Sequence, residues 1–275
     1  VAKLKKDWFH SLLTNMQPRL LESPPIKEAV FEIKVESKPE MSLGDLEGFK
    51  AAVKDEYPDS ETKIDLQGKI TVEKGAIPES LKLTQRKDGI IFRSQNGDKV
   101  AQARLDGFAF SLVNNYQDWQ TFFGKAFRLW EVYRSTTKPV KIERLALRFI
   151  NSLDIPSVGA EESINLDEYI TVLPSMGDNL NGPIQESLLR ILFEDQDFSP
   201  SKGILTEIVR GTGNTDSFGL NVILDIDVYQ TVSFLPEEDE AISSVFQENL
   251  RKFKNKVFFG ALTRKALDGL GARYE

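Results

Sequence analysis

A chain of 275 residues with 40% apolar and 10% aromatic side chains has ample material for a packed interior, and its length lies where one core gives way to two, or to two fused halves. It contains no cysteine, which excludes disulfides, thiolate metal sites and cysteine nucleophiles and fits a reducing, cytoplasmic compartment. A formal charge of -7 opposes general attraction to phosphate backbones, so nucleic acid is disfavoured as a partner.

Residues 1–19 read as a helical extension. Leu4, Trp8 and Leu12 recur at helical spacing among Lys3, Lys5, Lys6 and Asp7, a broken pattern that suits neither a signal peptide nor a membrane anchor. Glu28-Ala-Val-Phe-Glu-Ile33 alternates as a strand, and a short helical segment follows near Leu43 to Val53. Asp59, Glu61 and Lys63 evoke the acid, acid, lysine set of metal-dependent nucleases, but that set spreads over two strands and here its members fall within one turn, so chance explains them better. Three strands are expected between Gly89 and Val113, joined through Asn96-Gly97 and Asp106-Gly107, dipeptides suited to the positive φ of tight hairpins. Next comes a helix with Trp119, Phe122, Phe123, Ala126, Phe127, Trp130 and Tyr133 on one face. Asn115 or Asp118 is placed to cap its start, and its period marks the aromatic stripe as core, not a stacking platform for bases.

The same order then recurs. Arg144-Leu-Ala-Leu-Arg-Phe149 matches the first strand, a short helical segment follows near Leu166 to Val172, strands are expected at Gln185 to Glu194, Ile204 to Arg210 and Leu220 to Val228, and a helix starts about Pro236 with Ile242, Val245, Phe246, Leu250, Phe253 and Val257 as its stripe. Long loops are expected at Ser157 to Ser163, Ser175 to Pro183, Asp195 to Gly203 and Gly211 to Gly219. The basic stretches at Arg251, Lys252, Lys254 and Lys256 and at Arg264 and Lys265 read as solvated helix faces. The fold class is therefore α+β: two pseudo-repeated β-α-β-β-β-α halves, residues 20–138 and 139–275, with antiparallel sheets packed on helices in one continuous unit. A single large sheet of the helix-grip kind is the alternative.

The duplication carries a charge prediction. In the first strand Glu28 and Glu32 share the face opposite Ala29, Phe31 and Ile33, and in the second Arg144 and Arg148 hold the equivalent positions. Set side by side, the two strands would place acid against base, so Glu28, Glu32, Arg144 and Arg148 are expected to form a structural network between the halves.

Catalytic constellations are scarce. The one histidine, His10, lies in the extension, which argues against a serine, histidine, acid triad and against zinc sites of the usual kinds. Asp225 and Asp227 alternate on the polar face of Leu220 to Val228 and are candidate ligands for a divalent metal. The ordinary reading is a solvent face or charge partners for Arg144 and Arg148. Asp195 and Asp197 suit a turn, and Gly211 to Gly219 lacks the lysine and helix of a phosphate loop. No catalytic residue is nominated, and no cofactor is expected unless a metal sits at Asp225 and Asp227.

Three segments, Ser23-Pro-Pro-Ile-Lys-Glu-Ala-Val-Phe-Glu-Ile33, Glu143-Arg-Leu-Ala-Leu-Arg-Phe-Ile-Asn151 and Leu250-Arg-Lys-Phe-Lys-Asn-Lys-Val-Phe-Phe259 with Leu262-Thr263, resemble a sporadically distributed prokaryotic family of about this length whose function is not established. The resemblance runs from about Leu20 onward and implies one full-length unit. It brings no catalytic residues, and its scattered distribution implies horizontally moved genes, such as defence or toxin-linked systems. The leading expectation is a non-enzymatic interaction or ligand-sensing protein with a small ligand or protein partner. A metal-dependent phosphoryl-transfer or nuclease enzyme and a structural subunit of a larger assembly are the alternatives, and the oligomeric state stays open.

Overall fold

The computed structural model describes residues 20–70, 81–159, 164–173, 186–214 and 217–274. The extension 1–19, the whole of the expected loop at Ser175 to Pro183 and residues 160–163 of the loop expected at Ser157 to Ser163 lie outside them. Eleven strands are named in chain order: β1 Leu20–Leu21, β2 Ile26–Glu36, β3 Asp59–Ile70, β4 Leu81–Arg93, β5 Lys99–Arg104, β6 Gly107–Val113, β7 Lys141–Gly159, β8 Glu186–Glu194, β9 Lys202–Asn214, β10 Ser217–Phe234 and β11 Ala272–Arg273. The helices are α1 Glu47–Val53, α2 Trp119–Thr137, α3 Asp239–Ser244, α4 Arg251–Ala261 and α5 Arg264–Gly269, with a π-helical stretch Val245–Leu250 joining α3 to α4. Antiparallel pairing combined with segregated helices makes the chain α+β.

The described residues fall into two compact units, and β7 and β10 each contribute to both. The aromatic unit comprises Glu28–Leu147 and Tyr229–Gln247. Its hydrogen-bonded neighbours run β3-β4-β5-β6-β2, then β7 and β10. Alternation decides the faces: Ala29, Phe31 and Ile33 are fully buried, while Glu28, Val30 and Glu32 lie on the other side. Phe31 stacks on Phe246 at 4.2 Å, Phe110 on Phe122 at 5.9 Å, and Phe49 meets Phe92 at 5.3 Å. Each such ring contributes about 1.5–3 kcal/mol by leaving water. Helix α2 starts at Asp118, whose carboxylate accepts from the Thr121 N–H at 2.8 Å, and ends at Lys138 in the left-handed region.

The turn Asp106-Gly107 holds Gly107 at φ +151°, and a Cβ there would lie 2.3 Å from the Ile33 carbonyl oxygen. No L side chain fits so close to a backbone atom on a neighbouring strand. Gly107→Ala is therefore expected to destabilise the protein by about 2 kcal/mol, checked by chemical denaturation with Gly97→Ala as a comparison. Gly97 also has positive φ, but a Cβ there meets open space.

The second compact unit, here the cleft unit, holds the described residues among 1–27, 148–228 and 248–275. Its neighbours run β7-β10-β9-β8, and β1 pairs with β11. Leu205 and Val209 on β9 and Leu220, Val222, Leu224 and Ile226 on β10 form the buried face, against which α4 packs. At Gly203 there is no room for a side chain, since a Cβ there would meet the rings of Phe193 on β8 and Phe253 on α4 at 2.8 and 3.0 Å.

Several sequence-based expectations need correction. Asp59, Glu61 and Lys63 do not sit in a turn: they occupy one face of β3, a strand that the reading omitted, and Glu61 pairs with Arg93 at 2.8 Å and Lys63 with Asp88 at 2.8 Å. β4 begins at Leu81, well before the expected Gly89. β9 continues through Gly211 to Asn214 and β10 begins at Ser217, which shortens the expected loop there. The helical segment near Leu166 reduces to one 3-10 turn, Leu166–Glu168.

Candidate functional site

The cleft unit carries two apolar clefts on its helix-covered side. The larger, about 440 Å³, is walled by Pro25, Leu153, Ile155, Ile170, Val222 and Leu262, with Ser152, Asp154 and Lys265 as polar groups. Local chemistry builds it. An isolated bridge joins Ile170 to Leu262, the Thr263 N–H donates to the Tyr169 carbonyl at 3.0 Å, and the Thr263 hydroxyl caps α5 by accepting from the Ala266 N–H. Lys265 is held by Glu168, its ammonium 4.6 Å from the Tyr169 ring centre. Asn221 donates to Asp154 at 2.7 Å and to the Ser152 hydroxyl at 2.9 Å.

The smaller cleft, about 340 Å³, lies between β8, β9 and α4, among Val172, Ile191, Phe193, Leu205, Phe253 and Val257. At its edge Lys256 makes ion pairs of 2.7 Å to Asp195 and to Asp197. Burial works to lower the Lys256 value, but hydrogen bonds from both carboxylates outweigh it and hold the ammonium above its usual range. The two turn aspartates therefore bind a lysine of the basic run, which is not simply a solvated face.

Glu207 is the most unusual group here. It lies on β9 on the same face as Leu205 and Val209, opposite Leu189 of β8, with 0% exposure. Neither carboxyl oxygen has a hydrogen-bond partner. Burial pushes its pKa up to about 7. Lys254 on α4 is shifted oppositely: burial, aided by the Arg251 charge, lowers it to about 7. The Phe149 ring centre 4.1 Å away works against that shift by favouring the charged form. Sequence reading missed Glu207 and took Lys254 for part of a solvated helix face, whereas its ammonium packs against the Phe149 ring. The available signal for Glu207 was one acid breaking the Leu205, Val209 alternation.

Val140 N–H donates to the Glu36 carbonyl at 2.8 Å, making β2 and β7 antiparallel neighbours, and four residues along each strand bring Arg144 level with Glu32. The Arg144 guanidinium donates to Glu32 at 2.7 Å, and Arg104 of β5, which was not nominated, donates to its other oxygen at 2.5 Å. Tyr229 lies under Arg144 at 4.4 Å. Burial works to raise the Glu32 value, but the charges of Arg104 and Arg144 and the Arg104 hydrogen bond outweigh it and hold the carboxyl below its ordinary range.

Arg148 binds Asp225 through two bonds of 2.7 and 2.6 Å. Glu28 lies level with Val113 of β6 and makes no ion pair among the described residues. Asp225, a candidate metal ligand, is thus bridged by a guanidinium, and no group of three or more His, Cys, Asp or Glu among the described residues is arranged to hold a metal. No described helix is long and apolar enough to cross a membrane. Comparison of the chain with protein-family models and with curated proteins finds no match.

Proposed function

We propose that this chain is a non-enzymatic ligand-sensing protein that takes a small, mainly apolar molecule into its larger cleft. The observation carrying this reading is the cleft itself: about 440 Å³, within the range of small-molecule sites, with apolar walls and few polar groups. A polar end of the ligand would meet Lys265. What weighs against the metal-dependent alternative is the arginine seated on Asp225. The absence of cysteine supports a reducing, cytoplasmic setting.

We also read the chain as a duplication. In its support, neighbours run β6, β5, β4 away from β2 and β10, β9, β8 away from β7, leaving β3 as an addition to the first half. The segments resembling the prokaryotic family fall on β2, on β7 and on α4 with its flanks.

Nile red titration tests the cleft. Saturable binding is expected, and Gly269→Trp should weaken it at least about tenfold. Gly269 lines the cleft and a Cβ there meets open space, so a bulky side chain can be introduced at the cleft wall without a clash at its Cβ. Equal affinity in the variant would refute the assignment.

A further inference from the structure

Strand β8 ends the strand order of the cleft unit, so among the described strands one of its edges is unpaired. Its pairing with β9 is regular through all nine residues. Natural edge strands are protected by charged side chains, lysine above all, by proline, a bulge or an early stop, and β8 has one charge, Arg190, between its two end glutamates. This one, Glu186-Ser-Leu-Leu-Arg-Ile-Leu-Phe-Glu194, contains neither lysine nor proline and is regular.

On the face away from α4, Leu188 and Leu192 are 69% and 57% exposed, backed on β9 by half-buried Ile208 and Ile204. Ion pairs bound this apolar patch, Glu186 with Arg210 at 3.4 Å and Glu194 with Lys202 at 3.0 Å. Between the leucines Arg190 is exposed opposite Thr206 and makes no ion pair among the described residues. An apolar centre with a charged rim is the composition of an interface, not of a solvated sheet.

The occupant follows from reading the segment against itself. About Leu192, the run Arg190-Ile-Leu-Phe-Glu194 is complementary to its own antiparallel copy: Arg190 meets Glu194, Ile191 meets Phe193, and Leu192 meets Leu192. Residues an even number apart on one strand turn their N–H and C=O groups to the same edge, so the backbone bonds match in this register. Centring on Arg190 would oppose two arginines and set Glu186 against Glu194, which like-charge repulsion disfavours. Centring on Leu188 keeps opposite charges together but sets Leu189 against Ser187, losing the Ile191 and Phe193 contacts. We propose that β8 is a homodimerisation edge, pairing antiparallel with β8 of a second copy of this chain about a two-fold axis at Leu192.

Sedimentation velocity at about 50 μM should give twice the 31.1 kDa chain mass. Arg190→Glu and Glu194→Arg should each weaken association at least about tenfold, and the double exchange should restore it to within about threefold. Because the chain has no cysteine, Leu192→Cys introduces a single thiol at the axis, and mild oxidation should link two chains there far faster than in Leu188→Cys. A monomeric wild type at that concentration, a double exchange that stays dissociated, or equal cross-linking at the two positions would overturn the proposal.

Discussion

Replacing Glu32 by alanine is expected to lower the unfolding free energy by about 3 kcal/mol at pH 7. Its carboxylate receives two guanidinium groups, and the Glu32 and Arg104 side chains are only 21% and 12% exposed. Removing the acid leaves the like charges of Arg104 and Arg144 close together without the group that offsets them. The loss falls at the low end for partly buried pairs because Arg104 keeps Asp106, 3.3 Å from its Nε. The carboxyl's folded pKa lies below its ordinary value of 4.5, so its contribution is complete above that pH and is lost as pH falls through the folded value. Urea denaturation at pH 7 and pH 3 checks both points: the gap between wild type and Glu32→Ala should narrow in acid. A gap unchanged at pH 3 would show that lost packing, not charge, carries the effect.

Glu207→Gln should do the reverse and stabilise the protein by about 3 kcal/mol at pH 8, with little change at pH 4. The Glu207 value rises from 4.5 unfolded to about 7 folded, so the folded state binds the additional proton between those limits. Stability from that proton is present below pH 4.5 and declines as pH climbs to about 7. Glutamine keeps the shape and removes the charge. Lys254 has the opposite slope, because its folded value is depressed from 10.5 to about 7 and stability recovers as pH rises across that interval. Wild type should therefore be least stable near neutrality, and the double variant Glu207→Gln, Lys254→Met should show a flatter profile. Thermal melts from pH 4 to pH 10 measure this. A buried acid without a partner costs stability.

What was legible in the chain followed from local pattern. Alternation in Glu28 to Ile33 and in Leu220 to Val228 assigns faces because one side of each strand is buried, and the aromatic period of α2 does the same for a helix. The dipeptides at Gly97 and Gly107 announce turns because both glycines adopt positive φ. Strand β3 was missed at its polar start, where Asp59, Glu61 and Lys63 alternate with Ser60 and Thr62 without an apolar face; the available signal lay further on, where Ile64, Leu66 and Ile70 alternate with Asp65, Gln67 and Lys69. The end of β9 was not legible, since Gly211 and Gly213 look like a loop yet pairing continues.

The charge network was half legible. Strand equivalence pointed to Glu32 and Arg144, but Arg104 reaches Glu32 from β5, and the neighbour of Arg148 is decided by β10, which presents Asp225. Such partners are set by sheet order, which no local window contains. Glu207 marks the same limit, since an acid in an alternating strand becomes exceptional only when every surrounding element fails to supply a donor.

Native mass spectrometry of the protein purified from its own cells tests the central claim most directly. A ligand-sensing cleft predicts a retained small organic molecule above the 31.1 kDa chain mass, lost in Gly269→Trp and kept in Asp225→Asn. An adduct that survives Gly269→Trp, or a metal ion that leaves with Asp225→Asn, would contradict it.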